Sequence, residues 1–307
     1  MRALLLIAPF AALIASGKAA AHADHVHWLE LGATWTWDGW VVLPLAASAA
    51  LYAIGVTRLW RRAGRERGVR VWQVGCFAAA WLLLAAALVA PLHWLGGRLF
   101  TAHMIEHEIL MTLAAPLLVV ARPVGAILWA LPADWRRRSG GLAQTPFLAT
   151  PWSWLTDPLV ATVLHAIALW AWHIPALFDA ALASPRLHWL QHVSFLVTAL
   201  FFWWSLLRGR ARERGYGAAV LYLFATSLHS GFLGILLALA RQPLYPAQTR
   251  TAPEWGLTPL EDQQLAGLIM WVPAGLVYAA AALALAGLWI ARSGAEGRRG
   301  GAHALAR

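Results

Sequence analysis

Two pairs of histidines are the residues of this chain whose spacing first suggests chemistry. His103 and His107 are four residues apart in the stretch HMIEHEIL, and His188 and His192 repeat that spacing in LHWLQH. In an α-helix such residues lie on one face, at depths that differ by about 6 Å. Neutral imidazole is a common protein ligand for copper, zinc and haem iron. Each pair could therefore form one wall of a metal or haem site.

The rest of the sequence indicates the elements that carry these pairs. The chain of 307 residues is 60% hydrophobic and only 12% charged, with a mean hydropathy of +0.60, which is typical of a polytopic membrane protein. Its apolar runs are too long for barrel strands, so we expect an all-α bundle. Seven transmembrane helices are predicted near residues 40–58, 71–92, 102–121, 158–177, 188–207, 216–240 and 265–291.

The arginines predict how this bundle is oriented. The loops at one end of the predicted spans, with the C-terminal tail, hold 18 arginines and the opposite loops hold 4. By the positive-inside rule the N-terminus lies outside and the C-terminus is cytoplasmic. We expect the bacterial inner (cytoplasmic) membrane, with a lipid bilayer as surroundings. The net charge of +10 is concentrated in short loops between spans, so we expect no nucleic acid partner.

This topology places the histidines of the spans on one side of the membrane. His93 ends the second span, His173 ends the fourth with His165 about 12 Å deeper, and His229 lies near the middle of the sixth. An outer tier would draw on His93, His103, His173 and His188, and a deeper tier on His107, His165, His192 and His229. A lone histidine at a helix end is more often interfacial than a ligand. Eight on one side favour a metal or haem site.

Other side chains could contribute to such a site. Met104, Met111 and Met270 offer thioethers that favour Cu(I), although packing is the commoner role of a methionine in a span. Glu106 and Glu108 point in different directions on their helix, so one of them can face the histidines as a hydrogen-bond partner or proton acceptor.

Four segments are predicted along the chain. Residues 1–23 resemble a signal peptide with a cleavage site at Ala21-His22-Ala23, the alternative being an uncleaved extra span. Residues 24–39 form a periplasmic segment that contains histidines, residues 40–291 the seven-span membrane domain and residues 292–307 a cytoplasmic tail. In the outer loop near 241–263, Tyr245 and the run Glu261–Gln264 could form a docking rim, or simply a structured loop and a helix cap.

Several separated motifs together show a family resemblance. HMIEHEILMTLAAPLLVVARP, WHIPALFDAAL, LHWLQHVSFLVTALFFWW and PLEDQQLAGLIMWVPAGLVY occur in this order between about residues 38 and 291. The chain resembles the multispanning CtaG family of cytochrome c oxidase assembly proteins. Glu108 departs from the family pattern, in which an apolar residue is expected. The family motif positions are His103, His107, His173, His188, His192, Asp179, Asp262, Gln263 and Gln264.

The resemblance implies a non-enzymatic assembly factor that helps to mature a haem-copper oxidase by supplying copper. The implied partners are cytochrome c oxidase subunits and a periplasmic copper donor. From the residues themselves, two alternatives remain open. One is a cytochrome with haem b between His107 and His192. The other is an intramembrane metal hydrolase with Glu106 as general base, although the sequence lacks the HExxH motif.

Overall fold

A computed structural model of the chain describes residues 35–209 and 216–305, with side chains up to residue 291. Within these ranges all regular structure is helical, as the sequence predicts. The predicted signal peptide at 1–23 and most of the predicted segment at 24–39 lie outside the described residues.

Twelve α-helices, numbered in chain order, make up this described part. They are α1 Gly39–Ala63, α2 Val71–Leu88, α3 Pro91–Gly96, α4 Phe100–Ala121, α5 Pro123–Ala130, α6 Ala133–Ala143, α7 Pro146–Leu155, α8 Pro158–Trp172, α9 Pro175–Ala183, α10 Pro185–Leu207, α11 Tyr216–Ala238 and α12 Pro259–Leu305. A short 3-10 helix, Ala252–Trp255, lies in the loop before α12. Seven of the twelve begin with proline, whose missing N–H has no intrahelical partner at that position in any case.

Six of these helices, α1, α2, α4, α10, α11 and α12, are long and apolar enough to cross a membrane. The predicted span at 158–177 is shorter in the structure. Its helix, α8, has 15 residues, or about 22 Å, which is shorter than a hydrocarbon core of about 30 Å. It ends at His173, because Pro175 starts a new helix. Together α7 and α8, bent by 68° at a short break, give a seventh candidate span.

Helix α4 is the central span. Over half of its apolar window is buried (56%), more than in any of the other five long spans. It packs against α2, α10 and α12. Its middle, Ile109–Ala114, is a π-helical turn between two α-helical segments. Pro116, two residues further on, has no N–H for the carbonyl of residue 112, which favours such a local change of hydrogen bonding.

The start of α4 is fixed by a carboxylate from the start of α12. Asp262 is fully buried, and its two carboxylate oxygens accept hydrogen bonds from the backbone N–H groups of Phe100 and Thr101, at 2.8 and 2.9 Å. The Thr101 hydroxyl also donates to Asp262, at 2.7 Å. These bonds satisfy N–H groups that a helix leaves free at its first turn. The last span therefore sets the position of the helix that carries His103 and His107.

The loop between α11 and α12 is held against the same end of the bundle. The Tyr245 hydroxyl donates to the carbonyl of His173 at 2.6 Å, and Gln248 Nε2 donates to the carbonyl of Gly96 at 2.7 Å. Tyr245 is only 2% exposed, and Gln263 is fully buried like its neighbour Asp262. Tyr245, Asp262 and Gln263 thus have the structural role that the alternative of a structured loop predicts, whereas Glu261 is exposed and accepts a hydrogen bond from the N–H of Thr258 at the start of α12.

Candidate metal centre

Four histidines from two spans meet at one end of α4, and this is the end that the sequence predicts to face outward. The ring centroids of His103 and His107 are 4.3 Å apart, and those of His188 and His192 are 4.5 Å apart. Between the helices, His103 stacks on His188 at 5.3 Å and His107 meets His192 edge to face at 5.1 Å. The two predicted walls thus face each other, with imidazoles in direct contact.

Helix α3 and a carboxylate of α4 complete the group. The His93 ring stacks on His188 at 5.5 Å, and its Nδ1 lies 3.2 Å from Oε1 of Glu106. The other Glu106 oxygen is 3.8 Å from Nε2 of His192. We call these six residues, His93, His103, Glu106, His107, His188 and His192, the histidine cluster.

The Glu106 carboxylate changes the protonation of His93, which lies outside the spans. Burial alone would lower the pKa of the His93 imidazole. The hydrogen bond and negative charge of Glu106 outweigh that effect, so the pKa of His93 is raised from its ordinary value. The neighbouring carboxyl group thus favours the protonated form of His93.

The cluster contains buried nitrogen atoms without hydrogen-bond partners. His103 and His107 are each 1% exposed, and Glu106 is fully buried. The unpartnered atoms include both ring nitrogens of His103 and of His107, and Nε2 of His188 and of His192. Buried polar atoms are nearly always paired, and an unpaired set this dense is typical of a ligand or ion site. The donor set therefore fits a metal that takes imidazole and carboxylate ligands.

Three members are close enough to share one ion. His103, Glu106 and His188 each offer a ligand atom, and these atoms lie within 4.8 Å of one another. Small side-chain rotations would bring them to the bond lengths of about 2 Å that first-row metals need. His107 and His192 have ring contacts with His103 and His188 and are candidates for further ligands.

His173 borders the cluster. Its Nδ1 lies 2.7 Å from the carbonyl of Leu169, which fixes the ring and leaves Nε2 unpartnered. Phe195 contacts both His173 and His107, at centroid distances of 6.4 and 4.7 Å. The Phe195 ring thus separates His173 from the cluster. The loop that contains Tyr245 holds His173 in this position.

The structure places His165 and His229 apart from the cluster. His165 Nδ1 is 3.1 Å from the Thr198 hydroxyl, and its ring stacks on Phe202 at 5.6 Å. His229, half-buried on α11, has no hydrogen-bond partner among the described residues. Neither histidine has a ring contact or ion pair with the cluster within the described ranges. The deeper tier predicted from the sequence is therefore divided, because His107 and His192 join the outer histidines instead.

The other candidate ligands lie elsewhere. Met104, Met111 and Met270 are buried in the main apolar core. Of the two glutamates, Glu106 faces the cluster and Glu108 does not, since they lie on different sides of α4. No cluster contact is described for Glu108.

Comparison with known proteins agrees with this architecture. The profile of the cytochrome c oxidase caa3 assembly factor family (Caa3_CtaG) matches residues 50–292. The chain belongs to this family. The family is named for assembly factors of cytochrome c oxidase caa3.

Curated relatives of this family member are mycobacterial. An uncharacterized protein of Mycobacterium bovis and one of Mycobacterium tuberculosis are each 28% identical over 250 residues, covering 77% of this chain and 36% of theirs. An uncharacterized protein of Mycobacterium leprae is 27% identical over 277 residues, covering 83% of this chain and 39% of its own. The chain thus spans little more than a third of the length of these relatives. No solved structure matches.

The remaining motif positions of the caa3 assembly factor family lie on α9 and near the start of α12. Asp179 is exposed on α9. Gln263 accepts a hydrogen bond from the N–H of Leu244, and Gln264 Nε2 donates to the carbonyl of Ala240 at 3.1 Å. These amides, with Asp262, attach the outer loop to the ends of the spans.

Two residues of the site are not recognisable from the sequence. Gly96 lies so close to Glu106 that an added Cβ would come within 2.7 Å of Oε1. Gln248 is buried and bonded to the Gly96 carbonyl, so the outer loop contacts the helix that carries His93. A glycine in a Gly-Gly pair and a glutamine in a loop carry no ligand signal, and their roles depend on tertiary contacts.

Proposed function

We propose that this protein binds copper in the histidine cluster and delivers it to subunits of cytochrome c oxidase during assembly. The observation that carries the proposal is the set of buried, unpartnered imidazole nitrogens from α4 and α10 around the Glu106 carboxylate. Imidazole ligands suit copper in both common valences, and membership of the caa3 assembly factor family connects the cluster with a copper enzyme.

The cluster lies where exchange of an ion is feasible. His93 has 23% of its side chain exposed, whereas Glu106 is fully buried. An ion can therefore meet His93 and His188 first and His103, His107 and His192 next. This graded exposure suits a protein that takes up and releases copper rather than one that retains it permanently.

The distribution of arginines favours a cluster that opens to the periplasm. The histidines lie at the ends of the spans opposite the arginine-rich loops, so the positive-inside rule places them outside. We infer a bacterial inner membrane protein that receives copper from a periplasmic donor and passes it sideways to an oxidase subunit in the bilayer.

The alternatives fit the geometry less well. A haem between His107 and His192 would have to separate rings that contact each other at 5.1 Å. A hydrolase needs a carboxylate free to act on water, whereas both oxygens of Glu106 face histidines. Metal ligation can use the imidazoles and the carboxylate together as ligands.

Metal content and an absorption spectrum of the protein purified in detergent test the proposal. We expect about one or two copper ions per chain, no Soret band, and loss of the copper in a His103→Ala/His107→Ala variant. In cells, the same variant should lower the copper content and the activity of the oxidase.

Each contrary result points elsewhere. A Soret band with stoichiometric iron would identify a cytochrome. Zinc in place of copper under copper-replete growth would refute copper delivery. An intact oxidase in cells that carry the double variant would show that the cluster has no part in assembly.

A further inference from the structure

A second polar site lies at the other ends of the helices that carry the histidine cluster. A cavity of about 370 Å³ opens there. Its lining includes Glu66, Arg70, Trp72, Gln73, Arg122 and Arg208. Arg70 precedes α2, Arg122 follows α4 and Arg208 follows α10. Three separate loops thus bring their arginines to one cavity.

Buried hydrogen bonds hold this end of the bundle together. Gln73 Nε2 donates to the carbonyl of Val120 at 3.1 Å, and Gln73 Oε1 accepts from the N–H of Arg70 at 3.1 Å. Arg208 Nη2 donates to the same Val120 carbonyl at 3.0 Å. These bonds join the start of α2 and the end of α10 to the end of α4, which brings the backbone of Arg70, Arg122 and Arg208 to one place.

The backbone around the cavity is unusual. Glu66 and Arg122 have positive φ values of 64° and 56°, and in the described part of the chain they alone do so among non-glycine residues. Both line this cavity. Such conformations are unfavourable for side chains larger than glycine and often occur where a site needs a particular geometry.

The lining has an excess of positive charge. The guanidinium groups of Arg70 and Arg122 line the cavity beside one carboxylate, that of Glu66, and among the described residues no ion pair joins Glu66 to either arginine. The N-terminus of α2 also lies at this cavity, and its dipole adds partial positive charge. Topology requires arginines in inner loops, but it does not require arginines of three loops to converge around one space.

We propose that this cavity binds the phosphate group of an anionic ligand. Guanidinium groups bind phosphate oxygens through pairs of parallel hydrogen bonds, which suits convergent arginines better than scattered lysines. Two sources offer this chemistry at the surface of a membrane, the headgroup of an anionic phospholipid and a soluble phosphate. Trp72, half exposed at the cavity, has the position of an interfacial tryptophan beside lipid.

Lipid retention measured by native mass spectrometry tests the proposal on the full chain in nonionic detergent. Phosphatidylglycerol and phosphatidylcholine are added separately, and inorganic phosphate is tested by its effect on the thermal unfolding midpoint. We expect binding of phosphatidylglycerol or stabilisation by phosphate to weaken roughly tenfold or more in an Arg70→Gln/Arg122→Gln variant. The matched control is Arg61→Gln/Arg62→Gln, which removes two exposed arginines of the last turn of α1.

The outcomes separate the sources and decide the proposal. Selective retention of phosphatidylglycerol identifies a lipid headgroup, and stabilisation by phosphate without lipid selectivity identifies a soluble ligand. Equal losses in the two double variants would show a nonspecific effect of charge and overturn the proposal, as would binding of neither ligand by the wild type. If the first double variant fails to fold, the single variants Arg70→Gln and Arg122→Gln supply the same comparison with Arg62→Gln.

Discussion

Gly96 leaves no room for a side chain beside Glu106, because a single methyl group on Gly96 would come within 2.7 Å of the Glu106 carboxylate oxygen. The carboxylate is fully buried and is shared by His93 and His192. It has little freedom to move away, because its neighbours on both sides are imidazoles of the cluster. The size of the residue at position 96 therefore controls the position of a proposed ligand.

A Gly96→Ala substitution should consequently weaken copper binding. Displacing a group that orients or ligates a metal typically lowers affinity by 10- to 100-fold. Copper titration of the purified protein with a competing chelator measures the change. The neighbouring Gly97→Ala variant is the control, since a Cβ there would meet only the Trp94 carbonyl at an ordinary 3.5 Å. Equal affinities in the two variants would contradict the assigned role of Glu106.

Removal of either isolated histidine should leave copper stoichiometry unchanged. His165 contacts Thr198 and Phe202, and His229 has no described contact with the cluster. Elemental analysis of His165→Ala and His229→Ala, beside His192→Ala, measures the difference. Retained copper in the first two and loss in the third is the expected result. Loss in His229→Ala would reveal a second, deeper binding position.

Asp262→Ala should destabilise the protein by about 2–3 kcal/mol, because it removes a carboxylate that accepts hydrogen bonds from Phe100 and Thr101. The thermal unfolding midpoint in detergent, followed by tryptophan fluorescence, reports the loss. Thr101→Val removes one of these interactions and keeps the backbone bonds, so it should show a smaller shift. A midpoint equal to that of the wild type would mean that α12 does not hold the start of α4.

The Tyr245→Phe substitution should change how the stability of the protein varies with pH in the alkaline range. Burial, with a smaller contribution from Asp179, raises the pKa of Tyr245 above its ordinary value of about 10. Above pH 10 an unfolded tyrosine loses its proton whereas the folded one keeps it, so ionisation favours the unfolded state and stability falls as pH rises.

The wild type should therefore be more stable than Tyr245→Phe by about 1 kcal/mol at neutral pH, where the hydroxyl bonds the His173 carbonyl. That advantage should shrink as the pH passes 10. Unfolding midpoints of both proteins at a series of pH values measure it. Curves that stay parallel throughout would show that Tyr245 titrates normally in the folded state.

The sequence predicts six of the seven spans and the end of the bundle at which the histidines lie. Long apolar runs and arginine-rich loops carry those signals locally, and the ends of α10 and α11 fall close to the predicted positions. The pairs at spacing four also identified the faces of α4 and α10 that meet. These features depend on composition and helical periodicity alone.

The sequence alone does not show which residues belong to the histidine cluster. Whether His165 or His93 faces His103 depends on how each helix is rotated about its axis and on how far α8 extends. Both are set by packing between helices. The contact of Gly96 with Glu106 and the burial of Tyr245 likewise arise from the folding of distant segments onto one another, for which a single sequence carries no signal.

The π-helical turn at Ile109–Ala114 sets the angular phase between the two ends of α4. Each residue of an α-helix advances the chain by about 100°, so the wider turn determines which way Arg122 points once His103 and His107 face α10. A regular α-helix of the same sequence would place Arg122 at a different angle about the helix axis relative to His103 and His107. The π-helical turn therefore links the orientation of the histidines at one end of α4 to that of Arg122 at the other end.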